Sequence, residues 1–369
     1  MERRLRRVAE EAVEEWIKGR RMARVLRELL PRSGLTLEER ERVAETVHRV
    51  VRYHMLYEYV LERRSYPKTP RNYIKLALGE IGFNKELVEE APYHIRVSAS
   101  EAVAEVLRRD ERYLSHVNRE AQTYLAVNLL RTSRVEVQRT LEEEGLQAEE
   151  FLPETALRTE PRGRYSIVVE RGLAHVQDPS SQIISKVAAR LGEDVLDYCA
   201  GNGGKSLTMA YFGATVFSYD RNRGKLRNLE RRAELYSVPV KVEWWPKRHQ
   251  VVLVDAPCSG LGAAARNPEV KYYRDLKGFP EKQLSILKEA EGRAGEYIIY
   301  SVCTFTKKET EEVSKRFLER FKIFECVDPG KILPKILTPK EMEYIDPLDY
   351  GAIIRASDVM YLSIFRKKR

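Results

Sequence analysis

The sequence predicts an α/β protein with a mostly parallel sheet, preceded by a helical region and a small α+β region. From about residue 176 onward, short apolar runs alternate with helical patterns, which is typical of parallel strands covered by helices on both faces. The first 110 or so residues show apolar residues at helical spacing alone. Between them lies a stretch with strand and helix signals, bounded by prolines and glycines.

Length and composition narrow the class of protein. A chain of 369 residues is too long for one hydrophobic core, so we expect two or three domains. With 43% hydrophobic residues, 33% charged residues and no run of about 18 apolar residues, it is globular and without a membrane span. No secretory leader is visible at the N-terminus, so we expect a cytoplasmic protein.

Charge and cysteine content bear on the partners. The chain has 65 Lys and Arg against 56 Asp and Glu, a net charge of +9 that is consistent with a polyanionic partner. A high content of Lys, Arg and Glu is also typical of the surfaces of thermophilic proteins. Its four cysteines form no Cys-x-x-Cys pair, so we expect neither a metal site nor a disulfide framework.

The helical region contains several segments. Apolar residues recur at helical spacing over residues 5–30, and a capping box at residues 36–39 begins the next helix. Further helices are predicted over residues 73–81 and 98–107. Basic and aromatic side chains of this region could hold RNA by phosphate contact and stacking, or form a solvated helix face. They are Arg42, Arg49, Arg52, Tyr53, Tyr57, Tyr59, Arg63 and Arg64.

Strand signals begin after residue 120. The middle region predicts a strand over residues 124–128, a helix over 134–144 and a strand over 165–169. The strands predicted for the C-terminal region are residues 195–197, 216–220, 240–242, 251–255, 297–300 and 360–365.

Two of these strands run into a cysteine. Residues 251–255 end in Asp255 and continue into Pro257 and Cys258, and residues 297–302 continue into Cys303. Ligand sites in open α/β sheets lie outside the carboxyl ends of the strands, so these thiols lie where active-site residues are usually found. A lone cysteine is often a small buried hydrophobe. Two at neighbouring strand ends instead favour thiolate catalysis, although chemistry alone does not say which one attacks.

A glycine-rich turn follows the first strand of the C-terminal region. Residues 197–206 read Asp-Tyr-Cys-Ala-Gly-Asn-Gly-Gly-Lys-Ser, a turn that would lay a ligand against backbone N–H groups at a helix N-terminus. It has neither P-loop nor dinucleotide-fingerprint spacing. The next strand ends in Asp220, whose carboxylate could hold both ribose hydroxyls. A nucleoside cofactor is predicted, with a purely structural turn as the alternative.

These segments together resemble a known family. Residues 255–260 (Asp-Ala-Pro-Cys-Ser-Gly) with 266–269 (Arg-Asn-Pro-Glu) resemble motif IV of the Sun-type (Nop/Sun, Fmu) RNA cytosine-5 methyltransferases. Residues 201–206 are similar to their S-adenosylmethionine loop, and 301–304 with Glu309 and Glu311 to their motif VI. Residues 176–182 resemble the helix that opens their catalytic domain. Asn128 with residues 131–134 (Arg-Thr-Ser-Arg) and Gly145 resembles the small subdomain before it. The N-terminal helices are similar to the NusB-like domain of the bacterial small-subunit rRNA enzyme.

The resemblance implies a domain organisation. It implies an all-α NusB-like RNA-binding domain over residues 1–115, a small α+β RRM-like subdomain over 116–175 and a Rossmann-like class I methyltransferase domain over 176–369. The implied protein is a monomer that transfers a methyl group from S-adenosylmethionine to carbon 5 of a cytosine in structured RNA, either rRNA or tRNA.

The resemblance also implies residue roles. Cys303 would attack carbon 6, Cys258 would assist its release, and Asp255 would hold the base edge. The residues implied in cofactor binding are Cys199, Ala200, Gly201, Gly203, Gly204, Lys205, Asp220, Arg221 and Asp255.

This chain departs from the family pattern at two places. The usual Ala-Pro-Gly-Gly-Lys is here Gly-Asn-Gly-Gly-Lys over residues 201–205. Where the family usually offers an acid near the adenine, this chain has Glu243, Trp244 and Trp245 in a short connection. Two alternatives stay open: a DNA cytosine-5 methyltransferase, in which Cys258 would attack, and an RNA-binding ribosome assembly factor without turnover.

Overall fold

The computed structural model describes residues 1–368, so Arg369, the last residue of the third predicted domain, lies outside them. Residues 1–121 and 263–276 form one compact unit, here called the helical unit. Residues 122–262 and those from 277 onward form the second, here called the sheet unit. The predicted domain boundaries after residues 115 and 175 stay predictions. Segment 263–276 belongs to the helical unit, which no sequence pattern indicated.

The helical unit begins with helices, as predicted. The capping box is confirmed, because the Thr36 hydroxyl accepts from the Glu39 N–H while the Glu39 carboxylate accepts from the Thr36 N–H. The pattern over residues 5–30 is divided by Gly19, whose φ of +93° ends the first helix. The helices are α1 (Arg3–Ile17), α2 (Met22–Leu29), α3 (Leu37–Arg52), α4 (His54–Arg63), α5 (Pro70–Ala77), α6 (Lys85–Glu89), α7 (Tyr93–Arg96), α8 (Glu101–Arg109) and α9 (Leu114–Asn118).

Apolar faces of these helices form the core of the helical unit. Its buried side chains include Leu5, Val13, Val43, Val47, Val50, Leu61 and Ile74. The helix predicted over residues 73–81 starts earlier, because Thr69 caps it and Pro70 occupies its first position. Helix α8 likewise starts after its cap, Ser100. The periodicity therefore located the helices, and the caps set their ends.

Segment 263–276 is fastened inside the helical unit by Lys271. Its side chain is fully buried, and Nζ donates to the carbonyl oxygens of Arg52 (2.7 Å) and Val97 (3.2 Å) and to Oδ1 of Asn118 (2.6 Å). The Glu269 carboxylate accepts from the backbone N–H of Met22 at the start of α2 (3.0 Å). Residues 266–269, predicted from the resemblance to belong with the catalytic motif, therefore pack among helices.

The sheet unit opens with a small four-stranded antiparallel sheet in the order β2-β3-β1-β4. The predicted strand at residues 124–128 and helix at 134–144 are confirmed, but the predicted strand at 165–169 is wrong. Those residues form a short helix whose Val168 is buried in the small core, so packing outweighs the strand preference of Ile-Val-Val. The elements are β1 (Thr123–Val127), α10 (Arg134–Glu143), β2 (Ala148–Glu150), β3 (Ala156–Thr159), α11 (Ile167–Glu170) and β4 (Ala174–Val176).

The rest of the sheet unit alternates helices and strands. Its elements are α12 (Pro179–Leu191), β5 (Asp194–Asp197), α13 (Gly204–Tyr211), β6 (Thr215–Ser218), α14 (Arg223–Tyr236), β7 (Val240–Val242), β8 (His249–Asp255), α15 (Gly278–Glu291), β9 (Ala294–Val302), α16 (Glu311–Arg320), β10 (Phe324–Cys326), α17 (Pro329–Ile332), α18 (Pro339–Met342), β11 (Ile345–Leu348), β12 (Gly351–Ile354) and β13 (Met360–Lys367).

These strands form one mixed sheet in the order β11-β12-β13-β9-β8-β5-β6-β7, with β10 also paired to β13. Strands β5 to β9 pair with one another in parallel, which confirms the predicted α/β architecture. Strand β13 runs antiparallel to β9, and β10 to β12 are antiparallel additions. The parallel part brings the carboxyl ends of β5, β6, β8 and β9 to one edge of the sheet.

Candidate active site

Two thiols meet where β8 and β9 end. The two strands are adjacent and parallel, with Asp255 level with Ser301. Cys258 and Cys303 follow these strand ends, and their Sγ atoms lie 3.3 Å apart. Both side chains are half-buried. The structure therefore brings together the two cysteines that the sequence placed at neighbouring strand ends.

A buried carboxylate braces the turn that carries Cys258. Glu309 is fully buried and accepts hydrogen bonds from the Ser259 N–H (2.8 Å), the Thr306 hydroxyl (2.9 Å) and Nε2 of Gln283 (3.0 Å). Gln283 Nε2 also lies 3.2 Å from the carbonyl oxygen of Pro257. Sequence reasoning missed Gln283, because it lies inside helix α15 and nothing in its spacing distinguishes it from a core-facing polar residue.

Gly262 closes the turn against the strand ends. Its N–H donates to the carbonyl oxygen of Cys303 (3.0 Å), and a Cβ at this position would lie 1.7 Å from the carbonyl oxygen of Val359. Only glycine fits so close an approach of two backbones.

Asp255 is held by two partners. Its Oδ2 accepts from Nζ of Lys205 at 2.7 Å, and its Oδ1 accepts from the Ser301 hydroxyl at 3.0 Å. Burial lowers the pKa of Lys205, but the negative charges of Asp255 and Cys303 outweigh it, and the pKa is raised. Lys205 therefore stays a cation in its hydrogen bond with Asp255, beside the thiols.

The two thiols are not equivalent. The hydrogen bond with Cys303 and burial together raise the pKa of Cys258 well above its ordinary value. Because each thiol must lose a proton to become a nucleophile, Cys258 is the one that keeps its proton.

The glycine-rich turn lies at the end of β5 and leads into α13. Gly201 has a φ of +57° and Gly203 a φ of +83°, the left-handed region that glycine enters without strain. A Cβ on Gly203 would lie 2.6 Å from the Leu229 side chain, so that position has no room for another residue. The replacement of the usual alanine by Gly201 therefore accompanies a left-handed backbone.

Asp220 ties the second strand end to this turn. Its Oδ2 accepts from the Gly201 N–H (2.9 Å) and its Oδ1 from the Asn222 N–H (2.7 Å). Its neighbour Arg221 is paired with Glu289 on helix α15, with Nη2 and Oε2 2.6 Å apart. The carboxylate is thus fixed beside the glycine turn, while the Arg221 side chain is engaged elsewhere.

The turn leaves space for a ligand. A Cβ on Gly201 would lie 4.0 Å from the carbonyl oxygen of Cys199, and a Cβ on Gly204 would lie 3.7 Å from Nε2 of Gln177. Ala200 donates its N–H to the carbonyl oxygen of Tyr219, which holds the two strand ends together. Burial raises the pKa of the Cys199 thiol, so it stays protonated. An open backbone next to a fixed carboxylate fits a nucleoside cofactor.

Asp197 is the buried end of β5. It is 1% exposed and its Oδ2 accepts from the Ser206 hydroxyl (2.7 Å), which in turn accepts from Ser218 (3.0 Å). Its Oδ1 has no hydrogen-bond partner within residues 1–368. Burial raises the pKa of Asp197 to about 7.

Glu243, the acidic residue of the short connection after β7, contacts other residues of the protein. Glu243 accepts from the Lys247 N–H (2.8 Å), and its carboxylate lies 3.2 Å from Nε2 of His249. His249 Nδ1 lies 2.6 Å from Asp194. These contacts of Glu243 hold the connection in its conformation. Trp244 and Trp245 follow Glu243 in the chain.

Several residues expected to contact RNA have structural contacts instead. Arg52 is 3% exposed and donates to the carbonyl oxygen of Ala265 (2.9 Å), and Tyr57 is 4% exposed. The expectation of phosphate contact and stacking is wrong for these two, because a helix periodicity does not distinguish a buried arginine from a solvated one. Arg49 pairs with Glu120.

No cluster of three or more His, Cys, Asp or Glu side chains within residues 1–368 could hold a metal ion. Over the same residues, no helix is both long enough and apolar enough to cross a membrane.

Comparison with known proteins finds similarity over part of the chain. The family of 16S rRNA methyltransferases RsmB/F matches residues 185–345. A ribosomal RNA small subunit methyltransferase B of Thermus thermophilus is 35% identical over 185 residues, 46% of this chain and 46% of that protein. A probable ribosomal RNA small subunit methyltransferase B of Bacillus subtilis is 30% identical, over 60% of this chain and 54% of that protein. The chain thus spans about half the length of these curated relatives.

Solved structures support the fold. The structure of PH0851 has a TM-score of 0.77 at 16% identity and covers 100% of this chain and 99% of its own. NSun6 from Pyrococcus horikoshii with SFG has a TM-score of 0.56 at 15% identity and covers 78% of this chain and 99% of its own. With the matching family model and relatives, the chain is similar over part of its length to the Sun-type (RsmB/F) RNA methyltransferases.

Proposed function

We propose that this protein methylates carbon 5 of a cytosine in RNA, with small-subunit rRNA as the favoured substrate and tRNA as the second. The observation that carries the proposal is the pair of thiols, 3.3 Å apart, beside the Lys205–Asp255 ion pair. Carbon 5 of cytosine is a poor nucleophile until a nucleophile adds to carbon 6, and a thiolate is suited to that addition.

Cys303 is the proposed nucleophile. The raised pKa of Cys258 leaves the shared proton on Cys258, so Cys303 is the sulfur free to attack. Attack forms a bond from Cys303 Sγ to carbon 6 and moves the ring's 5,6 π electrons to carbon 5.

Cys258 is the proposed partner for release. Once carbon 5 carries its new methyl group, its proton must leave and the sulfur–carbon bond must break, with the bond electrons returning to Cys303. Donation of the Cys258 proton to the departing sulfur would neutralise it. The Cys258 thiolate so formed could take the carbon 5 proton and regain its starting state.

Asp255 is proposed to hold the edge of the target base. Its two oxygens already accept from Lys205 and Ser301, which fix the carboxylate and leave one lone pair on each oxygen. The base must leave its stack to reach the thiols, at a cost of a few kcal/mol unless it is already single-stranded.

The glycine turn is the proposed cofactor site. S-adenosylmethionine, when bound, would supply the methyl group from its sulfonium. The backbone of residues 199–204 and Lys205 would hold its polar part, and Asp220 would bind the ribose hydroxyls. Asp255 completes the proposed set, and Arg221 stays a prediction although its side chain is paired with Glu289. We keep the expectation that the protein acts as a monomer in the cytoplasm.

Mapping 5-methylcytosine tests this function. Bisulfite sequencing of rRNA and tRNA from cells with and without the gene should show one cytosine that loses its methyl group when the gene is absent. The purified full chain with S-adenosylmethionine should restore it, and the Cys303→Ala variant should not. An unchanged RNA map would overturn the proposal, and loss of the mark from DNA alone would favour the DNA enzyme.

A further inference from the structure

An aromatic pair stands at the sheet edge after β7. The Trp245 side chain is 74% exposed, the highest value among the large hydrophobic residues within residues 1–368. Trp244 precedes it and is half-buried. The Arg223 guanidinium lies 5.1 Å from the centre of the Trp245 ring and 5.7 Å from that of Trp244. Exposing an indole to water costs apolar burial, so its position calls for a ligand.

The connection that carries the pair is held in shape. Glu243 accepts from the Lys247 N–H and contacts His249, and the Glu243 N–H donates to the carbonyl oxygen of Ser218 (2.9 Å). The His249 ring stacks on Phe217 at 4.2 Å between centroids. Trp245 is thus presented from a turn fixed at both ends.

The segment of the chain that carries the pair is strongly basic. Between residues 221 and 250, eight exposed side chains are Lys or Arg and one, Glu234, is acidic. Such a surface favours a polyanion over a neutral or acidic partner. The exposed basic residues are Arg221, Arg223, Lys225, Arg227, Arg231, Lys241, Lys247 and Arg248.

We propose that Trp245, with Arg223 and Trp244, forms a stacking site for an unpaired nucleotide of the RNA substrate. An exposed indole offers a base its π-face, and an adjacent guanidinium offers a phosphate or a second stacking plane. The inference rests on the proposed function in taking RNA as substrate, and it adds a binding site outside the thiol pair and the glycine turn.

The adenine of the cofactor is the competing occupant, since β6 and β7 end at the same edge as Asp220. A neutral adenine requires no cation, whereas the Arg223 guanidinium beside both rings, in a segment rich in exposed Lys and Arg, suits the phosphates of a chain of nucleotides. RNA is therefore the favoured occupant.

Three variants of the full chain and two control variants test the site. Trp245→Ala removes the stacking surface, Trp245→Phe retains an aromatic face, and Arg223→Ala removes the cation. Ile323→Ala is the control for an exposed apolar residue, being 46% exposed. Arg190→Ala is the charge control, since Arg190 precedes β5 and so lies at the opposite edge of the sheet. The measurements are affinity for a short single-stranded RNA by fluorescence anisotropy, KM and kcat for RNA methylation, and affinity for S-adenosylhomocysteine by calorimetry.

Trp245→Ala should weaken RNA binding about tenfold, within the range known for base–aromatic stacking, and raise KM for RNA similarly. Trp245→Phe should recover most of this loss, and affinity for S-adenosylhomocysteine and kcat should stay at wild-type values. Arg223→Ala should weaken RNA binding and reduce its salt dependence, whereas Arg190→Ala should change neither.

RNA affinity of Trp245→Ala equal to that of Ile323→Ala would overturn the proposal. A tenfold loss of S-adenosylhomocysteine affinity in Trp245→Ala, with RNA binding unchanged, would also overturn the proposal. It would show that the tryptophans bind the adenine of the cofactor. If the wild type binds RNA through Trp245 but methylates none, the stacking site stands and the proposed function fails.

Discussion

The sulfur atoms of Cys258 and Cys303 lie 3.3 Å apart although 45 residues separate them in the chain. This contact follows from topology, because β8 and β9 are adjacent parallel strands whose ends must meet. At this distance one thiol can donate a hydrogen bond to the other, and this hydrogen bond together with burial raises the pKa of Cys258. The two proposed roles therefore differ: Cys303 attacks the ring, and Cys258 carries the proton.

The first prediction separates these roles. Cys303→Ala should abolish methyl transfer and form no adduct, since without addition at carbon 6 the ring has no activated carbon 5. Cys258→Ala should still attack but release poorly, so protein and RNA should accumulate as a covalent species. Denaturing electrophoresis with labelled RNA detects that species.

The double variant is the control for this prediction and should behave like Cys303→Ala, because release is irrelevant where nothing was attached. If both cysteines only pack, each substitution should lower stability modestly and leave activity intact. An adduct in Cys303→Ala and none in Cys258→Ala would reverse the assignment and indicate the DNA-type mechanism.

The second prediction concerns Asp220 and the cofactor. S-adenosylmethionine or S-adenosylhomocysteine should bind in the micromolar range, roughly −8 kcal/mol. Asp220→Ala should weaken binding about tenfold to a hundredfold, because a hydrogen bond to a charged group contributes about 1.5–3 kcal/mol. Titration calorimetry gives both values.

Asp220→Asn separates ribose binding from loop structure. The amide oxygen can still accept from the Gly201 N–H, which keeps the turn in place, but the charge is lost. Its affinity should fall between those of the wild type and Asp220→Ala. Binding unaffected by either substitution would exclude Asp220 from the cofactor site.

The sequence predicted the residues that lie at strand ends, and the physical reason is simple. Asp255, Cys258 and Cys303 each follow a buried apolar run, and parallel strands end at one edge. Gln283 was not predictable in this way, since its contact with the Cys258 turn depends on how α15 packs. The burial of Arg52 was likewise missed, because the acceptor, Ala265, is distant in sequence.

Long-range pairing explains the remaining errors in the fold. Strands β10 to β12 are three or four residues long, and their antiparallel partners are fixed by the sheet, so no periodicity marked them. The helix at residues 167–170 carries a strand-like sequence that its packing overrides. The assignment of segment 263–276 to the helical unit depends on Lys271, whose sequence neighbourhood resembles any charged loop.

The third prediction tests the role of Lys271. Lys271→Met leaves the carbonyl oxygens of Arg52 and Val97 and the Asn118 amide oxygen without their donor inside the helical unit. The free energy of unfolding should fall by about 2–4 kcal/mol. Thermal unfolding followed by circular dichroism measures the loss. Lys85→Met, an identical change at a side chain that is 88% exposed, should have an effect within about 0.5 kcal/mol.

Lys271→Met should also reduce methyl transfer, because segment 263–276 directly follows the turn of Cys258 and Gly262 in the chain. Binding of S-adenosylhomocysteine should change little, since the glycine turn lies elsewhere in the sequence. A stable Lys271→Met protein with wild-type activity would show that the buried amine is dispensable. Deleting residues 1–115 would remove Arg52 and Val97 as well, so the point substitution is the cleaner test.

The last prediction concerns pH and the buried Asp197. Burial raises the pKa of Asp197 to about 7 in the folded protein from a reference value of 3.8. Between these values the folded state binds a proton that the unfolded state lacks, so stability falls as pH rises through that window. At about 1.4 kcal/mol per pH unit, the loss across the window is at most ~4 kcal/mol.

Asp197→Asn removes the ionisation while keeping an oxygen to accept from Ser206. The variant should gain stability relative to the wild type as pH rises from about 5 to about 8, and the difference should level off above that range. Urea unfolding of both proteins without cofactor, at several pH values, measures it. Asp349→Asn, at an exposed position, supplies the control and should show a constant difference. A constant difference for Asp197→Asn as well would mean that Asp197 ionises normally in the folded protein.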